Sequence, residues 1–254
     1  MAVPNPENKK PIALFFQVWW DHIWMLVGVS AVHSLLKLLI ITSGLADAGM
    51  ANVTRNLACG KHSFGVSDFM DTVKDNWKQS LIIGIINTLL YAVMAIAVWF
   101  YISAEGLVAQ IAIGVMVASF LVLSFAQFYM WLIVVTFTMP VGRIYKNSIL
   151  LAFANLKTNL LAGVLILVLY AVAVLPILLL PSIISLAFTL FLIVLVLPGF
   201  TSLLAHWMVF PVLRRYMIDP YYEEHPDADI ELRKSLGIYE ESKPADPPVF
   251  KDTM

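Results

Sequence analysis

Two long stretches of the chain carry almost no charge. Between Ser80 and Pro140 the only charged side chain is Glu105, and between Asn159 and Leu213 there is none. A transmembrane helix needs about 20 apolar residues to cross about 30 Å of hydrocarbon. Each stretch is therefore long enough for two crossings, and the pattern predicts two helical hairpins in a membrane.

The apolar pattern as a whole predicts five spans. They are expected at about 24–43, 80–101, within 107–139, 160–180 and 182–210. Ser103–Gly106 is expected to be a tight turn between the second and third spans, and Pro198-Gly199 to kink the fifth. The Phe- and Trp-rich residues 12–24 resemble an aromatic belt at the headgroup level.

The residues between the first two spans, 44–79, form a polar stretch, and part of it is expected to be a helix lying on the membrane surface. Ser67 is placed to cap a short helix there, with Phe69, Val73 and Trp77 on one face and charges on the rest. This pattern is typical of an amphipathic interfacial helix.

The composition agrees with this arrangement. Hydrophobic residues make up 60% of the chain and the mean hydropathy is +0.84, well above the values of soluble proteins. The predicted fold class is all-α, a polytopic helical membrane bundle. The basic residues adjoin apolar segments instead of forming a separate patch, so no nucleic-acid partner is expected.

A sequence duplication organises most of the chain. Pro140–Tyr145 (PVGRIY) returns as Pro211–Tyr216 (PVLRRY), and residues 76–84 align without a gap with 155–163, matching in Asn, Lys, Leu and Gly. We therefore predict two parallel helix-hairpin repeats at about 67–145 and 146–216, after an N-terminal span. Together they form an integral membrane domain over 1–216, and residues 217–254 form an acidic, flexible tail.

Charge sets the expected orientation. Residues 1–216 hold 12 basic and 7 acidic side chains, and most of the basic ones fall at one end of the predicted hairpins. The positive-inside rule makes that end cytoplasmic. In a cell membrane, five spans then place the N-terminus outside and the C-terminus in the cytoplasm.

Two segments carry a family resemblance. Ser67-Asp68-Phe69 followed by Lys74–Gln79 (KDNWKQ) is similar to one signature of the YesL-like bacterial integral membrane proteins, and Lys146–Leu156 is similar to a second. The resemblance covers roughly residues 12–216 and includes no catalytic motif. It implies a setting beside ATP-driven carbohydrate uptake systems, with subunits of a sugar ABC transporter as candidate partners, although the family has no established biochemical role.

Four polar residues within the spans are candidates for a solute or proton path. His33 and Lys37 lie four residues apart on one helical face, and Asn87 and Gln127 are isolated amides. The alternative is structural: Lys37 would snorkel to the cytoplasmic end while His33 and the amides hydrogen-bond neighbouring helices. The apolar segments hold no metal-ligand pattern, so neither a metal nor a cofactor is expected.

Five basic residues are candidates for a lipid anchor or a cytoplasmic docking site. They lie at the ends of the predicted hairpins and comprise Lys78, Arg143, Lys157, Arg214 and Arg215. Because no catalytic constellation is present, an enzyme is not expected. The leading hypothesis is a non-catalytic accessory or regulatory component of carbohydrate uptake. The alternative is a small stand-alone transporter or channel with its path between the repeats; the oligomeric state is left open.

Overall fold

The computed structural model describes residues 11–224, which form helices and turns with no strand among them. Four of these helices are long and apolar enough to cross a membrane, or five if one bent pair counts as a single span. The all-α membrane bundle is therefore confirmed. Most of the predicted acidic tail lies outside the described residues, as do Lys9 and Lys10.

The first part of the chain forms a bent helix pair followed by a helical hairpin. Helix α1 (Pro11–Asp21) meets α2 (Ile23–Leu38) at a bend of 74°. A 3₁₀ turn, Ile40–Thr42, then joins α2 to α3 (Ser43–Ala58). We call α2, this turn and α3 the N-terminal hairpin.

Two units of the same order follow. The first consists of α4 (Val66–Asp75), α5 (Trp77–Ile102) and α6 (Leu107–Thr136). The predicted tight turn between α5 and α6 is present, and Gly106 adopts φ 103°, which a residue with a Cβ would rarely accept.

The second unit consists of α7 (Val141–Ala154), α8 (Leu156–Leu179) and a long interrupted helix. That helix runs through α9 (Ile183–Phe191), a π-helical turn (Leu192–Val196) and α10 (Leu197–Leu213). A second π-helical turn (Arg214–Ile218) and α11 (Asp219–Glu224) then continue it beyond residue 216, where the tail was expected to begin.

Each unit is a short helix, a break at an asparagine, a long helix, a turn and a returning long helix. Asn76 and Asn155, which the sequence alignment pairs, both occupy the break. The second unit begins with α7 at Val141, slightly before the predicted division at 145/146. Because each turn is short, the long helices of a unit start and finish at the same end of the bundle. This end holds the starts of α5 and α8 and the ends of α6 and α10, and it is here called the basic end.

The segment expected to be a polar stretch between two spans contains the central helix of the bundle. Helix α3 packs against α2, α4, α5, α6 and α10. It can be surrounded because small residues let neighbouring backbones approach closely: Gly44 and Gly84 meet where α3 crosses α5, and Ala48 and Ala51 are fully buried. The sequence pattern did not indicate this helix because hydropathy weighs its polar side chains and ignores packing of small ones.

Helix α4 is present, but its start differs from the prediction. Gly65, at φ 63°, precedes the helix, and Ser67 makes no capping bond to the backbone. The carboxylate of Asp68 instead accepts hydrogen bonds from the Ser63 hydroxyl at 2.8 Å and the Phe64 N–H at 2.9 Å. Phe69 is fully buried in the protein, whereas Trp77 begins α5 beyond the break and is 50% exposed.

The predicted irregularity near Pro198-Gly199 appears as the π-helical turn immediately before it. Proline has no N–H for the Val194 carbonyl, which accepts a hydrogen bond of 2.7 Å from the Ser34 hydroxyl. The Gly199 N–H donates to the Ser30 hydroxyl at 2.9 Å. Two serines of α2 thus satisfy backbone groups that the interrupted helix cannot satisfy itself.

These contacts also fix the direction of the N-terminal hairpin. Because Ser30 lies beside Gly199 and Ser34 beside Val194, α2 runs antiparallel to α10 and away from the basic end. Helix α3 returns, and Arg55 donates to the Val135 carbonyl at the end of α6, at 2.6 Å. Both arms of the hairpin therefore point their outer ends towards the basic end. The first span was expected to run in the opposite direction.

Candidate functional site

A cavity of about 680 Å³ lies between the two units and the N-terminal hairpin. Residues of α2, α3, α5, α6, α8 and α10 line it. Its polar lining includes all four residues of the predicted path and two further groups: His33, Lys37, Asn87, Gln127, Asp47 and His206. The structure thus brings together side chains from five separate helices.

An ion pair is the main polar feature of the cavity. The Lys37 ammonium donates to Oδ1 of Asp47 at 2.8 Å, and Nε2 of His33 lies 3.1 Å from the same oxygen. The four-residue spacing places His33 and Lys37 on one face of α2, and the 3₁₀ turn brings α3 back beside that face. The Lys37 side chain is 43% exposed, so the pair is reached from the cavity.

Lys37 lies near the end of α2 that is remote from the basic end. The turn that follows it packs against Ile85, Thr88 and Leu89 of α5. These residues lie about 12–18 Å along α5 from its start at 1.5 Å per residue, which is near the middle of a 30 Å hydrocarbon layer. Lys37 is held at that depth by Asp47. Sequence analysis missed Asp47 because the residues of α3 were read as part of a polar stretch between two spans.

The two amides, Asn87 and Gln127, are already hydrogen-bonded within the protein and therefore have less capacity to bind a ligand. Asn87 accepts a hydrogen bond of 2.7 Å from the Tyr145 hydroxyl and donates to the Met130 sulfur at 3.4 Å. Gln127 is hydrogen-bonded to Tyr91. Asn87 joins α5 to α6 and α7, as expected of an interhelical amide in a membrane bundle.

His206 forms a second polar group in the cavity. Its Nδ1 lies 2.7 Å from the Thr54 hydroxyl, which donates its own proton to the Met50 carbonyl at 2.8 Å. Because the Thr54 proton is used in that bond, Nδ1 of His206 is the donor to the Thr54 oxygen. Helix α3 covers this position through Thr54, and the His206 ring is buried.

The five basic candidates lie outside the cavity lining. Lys78, Arg143 and Lys157 are exposed in the first turns of α5, α7 and α8, at the basic end. Arg214 and Arg215 are exposed where α10 ends, and Arg214 contacts Asp219 at 3.1 Å. Exposed ion pairs of this type contribute little stability, so these side chains remain accessible to anionic lipids or a partner. Within residues 11–224, no group of three His, Cys, Asp or Glu side chains could hold a metal ion.

Comparison with known proteins gives one partial match. Residues 17–98 match the family described as "Protein of unknown function, DUF624", which is consistent with the YesL-like resemblance and covers less than half of the chain. The matched segment contains the whole N-terminal hairpin with His33, Lys37 and Asp47. No curated protein and no solved structure matches the chain.

Proposed function

We propose that this integral membrane protein binds the polar part of a small molecule in the cavity between its two units and transfers that molecule across the bilayer. The observation that carries the proposal is the Lys37–Asp47 pair, which opens into a cavity near the middle of the spans. An ionisable group at such depth is costly, and it usually faces a substrate or ion pathway.

The shape and lining of the cavity support binding. Its volume of about 680 Å³ falls within the range of roughly 300–1,000 Å³ that is usual for small-molecule sites. Tyr91, Trp131 and Tyr170 provide aromatic surface beside the charged and hydroxyl groups. A few oriented polar groups among aromatic walls are typical of a specific site.

Transfer by the protein alone can be measured in proteoliposomes. The probes are labelled water-soluble solutes (monosaccharides, amino acids) and single-chain amphiphiles with labelled head groups. We expect flux of at least one probe, and a loss of about tenfold or more in Lys37→Met, because a hydrogen bond to a charged group is lost. Lys78→Met, an exposed lysine outside the cavity, is the matched control. Flux equal to that of empty liposomes for every probe would contradict the proposal.

A second candidate function follows from the resemblance and the exposed basic residues. In it, the protein is a non-catalytic accessory component of an ATP-driven carbohydrate uptake system, and Arg143 and Lys157 contact a cytoplasmic partner. It would then give no flux by itself, and transporter subunits would copurify with it in mild detergent. Copurification lost in Arg143→Glu but retained in Lys37→Met would favour this function. Intact carbohydrate uptake after deletion of the gene would exclude it.

We also propose an orientation in the cell membrane. The basic end faces the cytoplasm by the positive-inside rule. The N-terminal hairpin is then re-entrant, and α1 begins on the cytoplasmic side, the reverse of the outside N-terminus expected from five full spans.

Two observations support a turn of the N-terminal hairpin within hydrocarbon. Leu39, Ile40 and Ile41 are 64–66% exposed, and the Thr42 hydroxyl donates to the carbonyls of Leu36 and Leu39.

Single cysteines test this orientation in a Cys59→Ser background. Asn5→Cys should react with a membrane-impermeant maleimide only after the cells are permeabilised. Ser103→Cys, in the turn between α5 and α6, should react in intact cells. Labelling of both Asn5→Cys and Ser103→Cys in intact cells would contradict this orientation, because the start of α2 and the basic end would then lie on opposite sides of the membrane.

A further inference from the structure

We propose that the transferred molecule is an amphiphile with a zwitterionic head group, which binds with its head at the Lys37–Asp47 pair and its hydrocarbon chain in an adjoining apolar groove. This inference rests on the proposed function and names the chemical class of its ligand. It follows from the charges in the cavity and from the surface that the cavity meets.

The head group is specified by the two opposite charges. Lys37 has three N–H donors and directs one to Asp47, while the contacts of Lys37 and His33 to Asp47 both fall on Oδ1 and leave Oδ2 to another donor. An ion pair has no net charge, so a head with a net charge would stay uncompensated at this depth. A head carrying both an anionic and a cationic group can satisfy each partner separately.

His33 does not change the net charge of the Lys37–Asp47 pair. Its Nε2 faces Asp47 Oδ1, and its Nδ1 is buried without a hydrogen-bond partner among the described residues. A protonated ring would bury an unsatisfied N–H at Nδ1, whereas the neutral ring with its proton on Nε2 leaves only a lone pair there. The pair therefore acts as one cation and one anion.

The hydrocarbon chain of the ligand is inferred from a second, apolar cavity of about 190 Å³. Ile40 and Ile41 of the 3₁₀ turn form one wall of this groove, and Ile85 and Leu89 of α5 form the other. Thr88 lines both the groove and the polar cavity, so the two lie side by side. A molecule that fills both must be polar at one end and apolar at the other.

The groove is also open to the hydrocarbon. Ile40, Ile41 and Leu89 are 60–66% exposed, and no residue from 91 to 102 of α5 is buried. A chain can therefore enter from the bilayer without passing through water. A water-soluble ligand would gain nothing from the groove.

Binding to the purified protein in detergent tests the head and the chain separately. The probes are lysophosphatidylethanolamine, lysophosphatidylglycerol with the same chain, and the chain-free head glycerophosphoethanolamine. Native mass spectrometry measures the bound fraction. We expect the zwitterionic lysolipid to bind about tenfold more tightly than the anionic one, and Lys37→Met to remove this preference.

A groove-filling variant examines the chain without touching the ion pair. Ile85→Trp should weaken binding of the zwitterionic lysolipid and leave binding of the chain-free head unchanged. Ile96→Trp, at an exposed position on the same helix outside the groove, is the matched control and should bind as the parent does. A monodisperse elution profile and an unchanged melting temperature establish that each variant is folded.

The other outcomes overturn the inference in distinguishable ways. Equal binding of both lysolipids, unaffected by Lys37→Met, would mean that only bulk bilayer lipid occupies the groove. Equal affinity of the chain-free head, unaffected by Ile85→Trp, would reject the amphiphile but retain the cavity as a polar site. Absence of flux for all probes in proteoliposomes would instead reject the proposed function itself.

Discussion

The crossing of α3 over α5 can be tested by replacing Gly84 with alanine. A Cβ at this position would lie 2.7 Å from both Cα and N of Gly44, whereas ordinary contact begins at 3.4 Å. The helices would have to separate by about 0.7 Å (3.4 minus 2.7), because backbone atoms cannot rotate away. Overpacking of this kind costs about 1–3 kcal/mol.

Gly114→Ala provides the matched control. Gly114 lies within α6, and a Cβ there would meet no atom within 4 Å. Both substitutions gain the helix propensity of alanine, about 1 kcal/mol relative to glycine. The difference between the two variants therefore isolates the clash, and we expect Gly84→Ala to be about 1–3 kcal/mol less stable.

The assay is reversible unfolding in mixed micelles with increasing dodecyl sulfate, monitored by circular dichroism. A second readout is ligand binding or flux, because Asp47 lies one helical turn beyond Gly44 and would move with it. Equal stability of the two variants, within about 0.5 kcal/mol, would refute the close crossing and the mid-depth position of the turn.

Three further predictions follow from named contacts. Asp47→Asn should lower the unfolding free energy by about 1–3 kcal/mol, less than for a fully buried pair because Lys37 is 43% exposed. Adding Lys37→Met should restore most of the loss, whereas additive losses in a double-mutant cycle would contradict the pairing. Ser34→Ala should cost about 0.6–2 kcal/mol by removing the interhelical hydrogen bond to the Val194 carbonyl. Ser119→Ala should cost little, since Ser119 bonds only a carbonyl of its own helix, and equal losses in unfolding assays would count against the interhelical role. Burial disfavours the thiolate and raises the pKa of Cys59 from 9.0 to about 11. Alkylation of Cys59 at pH 7.5 should therefore be about 100-fold faster in the unfolded protein than in the folded one. Equal alkylation rates in the folded and unfolded protein would show an accessible thiol.

The long spans and their pairing were predictable because hydropathy acts over about 20 residues and the duplication repeats its landmarks. Asn76 and Asn155 mark equivalent breaks, and Ser103–Gly106 is the turn that its composition indicated. These features depend on local sequence. None of these features depends on which other helices pack against the segment.

Helix α3 was not predictable from hydropathy because its burial depends on its neighbours. Gly44, Ala48 and Ala51 recur at helical spacing and are all buried, a small-residue pattern that does signal close packing. Without that helix, Asp47 could not be recognised as the partner of His33 and Lys37. Sequence analysis therefore identified His33 and Lys37 as candidates but not their partner Asp47.

The two serines of α2 make the hairpin and the final helix a single mechanical unit. Ser34 supports the Val194 carbonyl and Ser30 the Gly199 amide, on either side of Pro198. Withdrawing α2 would remove the partners of both backbone groups at once. Displacement of the hairpin by a ligand would therefore also release the final helix at its interruption.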